Sequence, residues 1–147
     1  MKKKLLFAHL FSLSLGVLIY LLFRSESLKI FSWLKIIGID FTNTDLRKTT
    51  IVFAKFLPDW FLFSLPDGIW IFSYVCLMLY IWKSNISVQS LIWITLIPLI
   101  AIFSEIAQIF HIVNGTFDII DLIFYTLGLF SPFIIFKNKY NLKLLKL

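Results

Sequence analysis

Charge is scarce in this chain. Only 15% of its 147 residues are Asp, Glu, Lys or Arg, against about 25% in a typical soluble domain. Glycine and proline are few, at 5 and 4 residues, so there is no Gly- or Pro-rich linker at which to divide the chain. No repeat period is visible either. A single cysteine, Cys76, excludes an internal disulfide, and its place in an apolar run reads as packing. The sequence also lacks a phosphate-cradling glycine loop, a convincing nucleophile–base pair and a dedicated metal motif. No cofactor and no metal are expected, and no catalytic residue can be assigned. Acids are the scarcer sign, 8 against 14 basic residues, for a formal net charge of +6. In a soluble protein that excess would raise nucleic-acid binding. Here the lysines flank apolar runs, so they read as topology and lipid-headgroup charges, with no nucleic-acid partner expected.

What is abundant is hydrocarbon. Hydrophobic residues make up 60% of the chain and aromatic residues 18%, and the mean hydropathy is +0.92. The apolar residues collect into runs long enough for a bilayer core, which takes roughly 20 residues. The expected fold is all-α, an integral membrane four-helix bundle forming one domain over 1–147. Its spans are about 5–23, 66–82, 91–112 and 117–136. The first run follows Lys2, Lys3 and Lys4. It is longer than a signal-peptide core, and Arg24-Ser25-Glu26 offers no small-x-small cleavage site, so it reads as a retained anchor. Pro66 and Asp67 interrupt the second run, but a proline is tolerated at a helix start, where its missing N–H breaks no bond.

Charge sets the orientation. With the N-terminus inside and four crossings, the inner pieces are residues 1–4, 83–90 and 137–147. They hold Lys2, Lys3, Lys4, Lys83, Lys137, Lys139, Lys143 and Lys146 and no acid. Every acidic residue falls outside or in the outer half of the membrane. That is the positive-inside bias of a cytoplasmic membrane protein with both termini cytoplasmic. A fifth crossing over 28–39 fails on length and on Lys29 and Lys35.

Residues 24–65, between the first two spans, form an outer amphipathic segment. Leu28, Phe31, Leu34 and Ile37 recur at helical spacing, with Lys29, Ser32 and Lys35 on another face. This pattern predicts an interfacial helix, or a bent continuation of the first span. Gly38 to Thr44 reads as a turn. A second short helix is predicted over 45–57, capped by Asp45 or Thr44. Trp60 and Trp70 suit the aromatic belt at the headgroup level.

Chemistry is sought where polar groups sit in apolar surroundings. Glu105 and Gln108 share a helix face. Glu105 lies roughly 10 Å inside the outer end of its helix at 1.5 Å per residue. A carboxylate there costs on the order of 2.5–3.5 kcal/mol unless it is paired, hydrated or protonated. Nothing in helix formation requires it, so it reads either as a hydrogen bond to a neighbouring helix or as a functional site. The fourth run opens with Asn114-Gly115-Thr116, a turn whose Thr116 can cap the helix. Asp118 has a plain explanation in the positive end of the helix dipole. Asp118, Asp121, Tyr125 and Gly128 recur at spacings of 3, 4 and 3, one stripe. The short loop makes the third and fourth helices antiparallel neighbours, so Asp121 is expected to meet Glu105. No Arg or Lys lies within either span to neutralise them. Asp67 either joins this cluster or caps its own helix. His111 with Asp118 and Glu105 is a conceivable metal set, but the spacing matches no known motif.

The stretch from Ser104 to Gly128 resembles the VanZ-like family of small bacterial membrane proteins. The matching residues are Glu105-x-x-Gln108, Asp118-x-x-Asp121 and Gly128. Gly115 stands where the family usually has Arg, and Tyr125 where it usually has Asn. The Lys and His often found before the family's second span are replaced by Leu65-Pro66-Asp67-Gly68. The resemblance implies a cell-envelope role, in a family associated with low-level resistance to the glycopeptide teicoplanin. Three function classes stay open. One is an envelope protein binding a lipid-linked or amphiphilic molecule in an outer acidic cavity. Another is a small subunit of a larger membrane assembly. The third is a membrane enzyme using paired carboxylates. In each, membrane lipids are the surrounding partners.

The lysine asymmetry makes topology testable. Cysteine probes at positions 44 and 115 should react with an impermeant reagent added from outside, and probes at 86 and 141 should not. Outside labelling at 86 or 141 would overturn the ends-inside arrangement.

Overall fold

The structure, a computed structural model, describes residues 2–42, 44–137 and 141–142. It is built of helices: α1 (Lys2–Phe23), α2 (Lys29–Ile36), α3 (Asp45–Ala54), α4 (Asp59–Leu62), α5 (Ser64–Ile81), α6 (Val88–Ile109) and α7 (Ile119–Ile135). Two short strands, β1 (Asn85–Ile86) and β2 (Asn141–Leu142), pair in parallel. Among the described residues, three helical stretches are long and apolar enough to cross a membrane: α1, the near-continuous rod Asp59–Ile81, and α6. The fourth, α7, is equally apolar but has 17 residues. At 1.5 Å per residue it reaches about 25 Å, just short of a roughly 30 Å hydrocarbon core.

Helix ends fall where local chemistry puts them. The second span starts upstream of Pro66, because α4 runs almost directly into α5 and Pro66 sits in the first turn of α5, where no N–H is needed. Helix α6 stops at Ile109 rather than 112. His111 takes a left-handed φ of 55°, and the Ile112 N–H folds back onto the Ala107 carbonyl at 3.1 Å, which closes the helix with its own carbonyls. Thr116 does not cap α7. Asp118 does, its carboxylate accepting the Ile120 N–H at 2.8 Å. At the opposite end, Ser87 and Ser90 form a reciprocal capping box for α6.

Helix α5 is the hub. It packs along α1 on one side and α7 on the other, and also touches α6. Against α1, a cluster of Leu5, Val75, Cys76, Leu79 and Ile94 is buried. The buried stripe of α1 includes Ser12 and Gly16, and Gly16 lies flat against the Trp70 indole, where a Cβ would overlap the ring. The His9 ring Nδ1 lies 2.7 Å from Ser73 Oγ, and the Ser73 hydroxyl donates to the His9 carbonyl at 3.0 Å. Polar stitches of this kind fix register between apolar helices. Against α7 the contact is backbone to backbone. A Cβ on Gly128 would fall on the Gly68 carbonyl oxygen, and one on Gly68 would come 2.9 Å from Phe124 Cβ. The outward faces stay apolar: Phe7 is 69% exposed and Phe103 63%.

The segment after α1 is folded onto the end of α1. Arg47, 0% exposed, donates to the carbonyls of Leu21 and, at 2.6 Å, Arg24. Thr50 Oγ1 donates to the Leu22 carbonyl at 2.8 Å. These carbonyls are the ones a helix C-terminus leaves without intrahelical partners. The Arg47 guanidinium also lies 4.2 Å from the centre of the Phe31 ring, the buried residue of α2. The two predicted short helices are therefore present as α2 and α3. Thr44 precedes α3 in extended conformation but makes no side-chain cap.

The glycine crossing generates a prediction. Gly128→Ala should destabilise the protein by about 1–3 kcal/mol, the usual cost of overfilling a packed contact. Ile134→Ala, at a position 71% exposed, should change stability by less than about 0.5 kcal/mol. Thermal unfolding in detergent, followed by circular dichroism, compares them; equal midpoints would refute the close crossing.

Candidate functional site

Four acidic residues approach one another where α5 and α7 begin and α6 ends. The arrangement follows from the glycine crossing. With no side chain between the backbones at Gly68 and Gly128, Asp67 and Tyr125 lie within hydrogen-bonding reach, and the Tyr125 hydroxyl is a partner of the Asp67 carboxyl. Tyr125 also lies within electrostatic range of Asp121 and Glu105. Asp67 in turn feels Asp121, Glu105 and the opposite charge of Arg24. The stripe expected on α7 is thus oriented as the spacing predicts: Gly128 against α5, Tyr125 and Asp121 beside Asp67.

Glu105 is the most enclosed of the four, at 4% exposure. Its Oε1 accepts the Asp118 backbone N–H at 2.6 Å, and its Oε2 lies 3.4 Å from Gln108 Nε2. The buried carboxylate thereby ties the end of α6 to the start of α7, which is a structural role. Charge-assisted bonds to a backbone N–H are about twice as strong as neutral ones. Gly115, with φ of +144°, lets the connecting loop pass against Gln108, where a Cβ would come 2.8 Å from the amide. A side chain such as Arg would be strained at that φ and would displace the end of Gln108.

Asp121 is left in tension. Its Oδ1 is buried and has no hydrogen-bond partner among the described residues. Beside it opens a cleft of about 370 Å³ lined by Asp59, Phe63, Ser64, Thr116, Asp118 and Asp121. A second, apolar hollow of about 200 Å³ lies between α5 and α7, lined by residues that include Ile69, Phe72, Phe124 and Leu127.

Of the residues singled out from sequence, Glu105, Gln108, Asp118, Asp121, Tyr125 and Asp67 are brought together. His111 is not. It stands exposed in the turn after α6, and among the described residues no group of three His, Cys, Asp or Glu side chains is placed to hold a metal ion. Four cleft residues, Asp59, Phe63, Ser64 and Thr116, were not expected there. Arg24 does not line the cleft, but its guanidinium lies over the Phe63 ring, one of the cleft's walls. Its position just past α1 conceals this contact, because nothing local links it to Phe63. What the cleft can do chemically is accept hydrogen bonds and attract positive charge. It offers carboxylates and hydroxyls, with Asp121 short of a donor. Searches of protein-family models, curated proteins and solved structures find no match to this chain.

The Glu105 bonds can be tested directly. Glu105→Gln keeps an acceptor for the Asp118 N–H, so the fold should persist. Glu105→Ala leaves that donor unpaired, at a cost of about 1–3 kcal/mol. Hydrogen exchange at the Asp118 amide should stay slow in Glu105→Gln and quicken at least roughly tenfold in Glu105→Ala, since that factor corresponds to 1.4 kcal/mol. Unchanged exchange in the alanine variant would remove Glu105 from its tying role.

Proposed function

We propose that this chain is a VanZ-like protein of the bacterial cytoplasmic membrane, a four-helix bundle with both termini in the cytoplasm. In this reading α7 is the fourth crossing, α2 and α3 lie along the outer surface, and the acidic cleft opens in the outer leaflet. The cleft binds the head group of a lipid-linked or amphiphilic envelope molecule. The family reading rests on Glu105-x-x-Gln108, Asp118-x-x-Asp121 and Gly128; the link to glycopeptide resistance belongs to it and shares its support.

One observation carries the binding reading: the buried, unpartnered Asp121 Oδ1 beside a cleft of about 370 Å³. An acceptor buried without a donor costs about 1–3 kcal/mol, and a ligand donating an N–H or O–H recovers it. The surrounding carboxylates favour a head group that is cationic or rich in donors. Apolar side chains facing outward from every spanning helix keep the ligand's chain in lipid.

Extraction into nanodiscs directly from the native membrane tests this. An amphiphile beyond bulk phospholipid should copurify and appear as density against Asp121. Asp121→Asn should retain at least roughly tenfold less of it, the effect of 1.4 kcal/mol. Equal retention, or bulk phospholipid alone in both preparations, would overturn the binding reading.

A further inference from the structure

The apolar hollow between α5 and α7 lies on the same seam as the acidic cleft. Ser64, in the cleft wall, stands one turn before Gly68 in the hollow, and Asp121 stands just under one turn before Phe124. Residues three and four apart share a helix face, so polar and apolar linings follow one another along both helices. The hollow runs from Leu65 and Phe124 at the cleft end to Phe72 and Ser131 farther from it. At 1.5 Å per residue, that stretch of each helix is about 10 Å long.

Two features separate this hollow from the other apolar surfaces. It is a recess of about 200 Å³ rather than a plain face, and two of its lining residues, Gly68 and Gly128, contribute no side chains. Its upper wall also continues that of the cleft. The Phe124 ring is stacked on Trp60, with centroids 6.0 Å apart and planes 13° apart, and Trp60 directly follows Asp59 of the cleft. Aromatic side chains of this kind mark the level where head groups give way to hydrocarbon. Leu127, another lining residue, is 57% exposed, so the hollow is open sideways to lipid. A hydrocarbon chain gains little by exchanging lipid for an apolar wall. The hollow therefore contributes direction more than affinity, deciding where a chain runs once its head is held.

We propose that the hollow seats the first stretch of a single hydrocarbon chain whose head group occupies the acidic cleft. The inference rests on the reading of the cleft as a head-group site. It narrows the class of ligand to a head with N–H or O–H donors joined to its chain without a long polar spacer, because Ser64 of the cleft and Leu65 of the hollow are consecutive. The chain descends between α5 and α7 before passing into lipid.

The test uses the full chain in phosphatidylcholine nanodiscs. The probe is dodecylammonium carrying a photoreactive diazirine, either beside the head or at mid-chain; dodecyl phosphate with the same diazirines is the anionic control. After illumination, mass spectrometry of peptides locates the labels. With dodecylammonium, the diazirine beside the head should label Leu65 and Phe124, and the mid-chain one Phe72 and Ser131. Dodecyl phosphate should label these positions roughly tenfold less. Phe103 on α6, 63% exposed, reports bulk lipid and should be labelled alike by both probes. Asp121→Asn should lower the dodecylammonium labels in the hollow roughly tenfold and leave that at Phe103 unchanged. Isothermal titration with unmodified dodecylammonium measures the head separately. If wild type binds it no better than Asp121→Asn, the head-group reading falls and the inference with it. If binding depends on Asp121 but both probes label the hollow equally, or the two diazirine positions give the same labels, the chain seat is wrong while the cleft stands. Circular dichroism of the variant confirms its helical fold, and the comparison of two probes on wild type does not depend on it.

Discussion

The contact on which the site depends is the passage of α5 against α7 at Gly68 and Gly128. A bilayer supplies little hydrophobic drive between helices, because lipid tails are as apolar as leucine. Close backbone approach, with its dense dispersion contacts, then holds helices together. Here that approach is so tight that a Cβ on Gly128 would overlap the Gly68 carbonyl oxygen. The polar residues within two turns of the crossing are brought in with it. Asp67 reaches Tyr125, and Asp121 comes within range of both.

A second constraint comes from the ends of helices. A helix leaves its first N–H groups and its last carbonyls without intrahelical partners, and each is costly if withheld from water. Two of these ends are closed by side chains distant in sequence or by neighbouring loops. Arg47 and Thr50 close α1. Glu105 reaches from α6 to the first N–H before α7. Both devices place a charged or polar side chain on backbone groups, and both join elements as they satisfy them. The buried glutamate is therefore structural and electrostatic at once.

The remaining carboxylates are less fully matched. Asp118 is used as a cap, Asp67 has Tyr125 and the attraction of Arg24, and Asp121 keeps one buried oxygen without a donor among the described residues. Proteins leave few buried polar groups unpaired, and those they leave mark places where something else is bound or where strain is stored. Accumulated negative charge around an incomplete hydrogen-bond set gives the cleft a negative potential.

The sequence by itself determined the helical class, the long apolar runs, the short helices α2 and α3, and the acidic stripe on α7. These are local matters: hydrophobic run length and helical periodicity are written in consecutive residues, and they do not depend on distant neighbours. Gly128 and Tyr125 could be placed on the right face by spacing alone. Helix ends were read less well. Thr116 and Asp118 are both good caps by composition, and the folded chain uses Asp118, whose carboxylate accepts the Ile120 N–H. The left-handed turn at His111, which takes that residue out of the cluster, is likewise invisible in a helical pattern that runs on to Ile112. Tertiary structure alone decided the roles of Arg24 and Arg47. Their partners lie on other elements, the Phe63 ring for one and the carbonyls at the end of α1 for the other. A lone arginine carries no periodic signal, and the identity of the charge or dipole it neutralises is set only when helices pack and the dielectric around them falls.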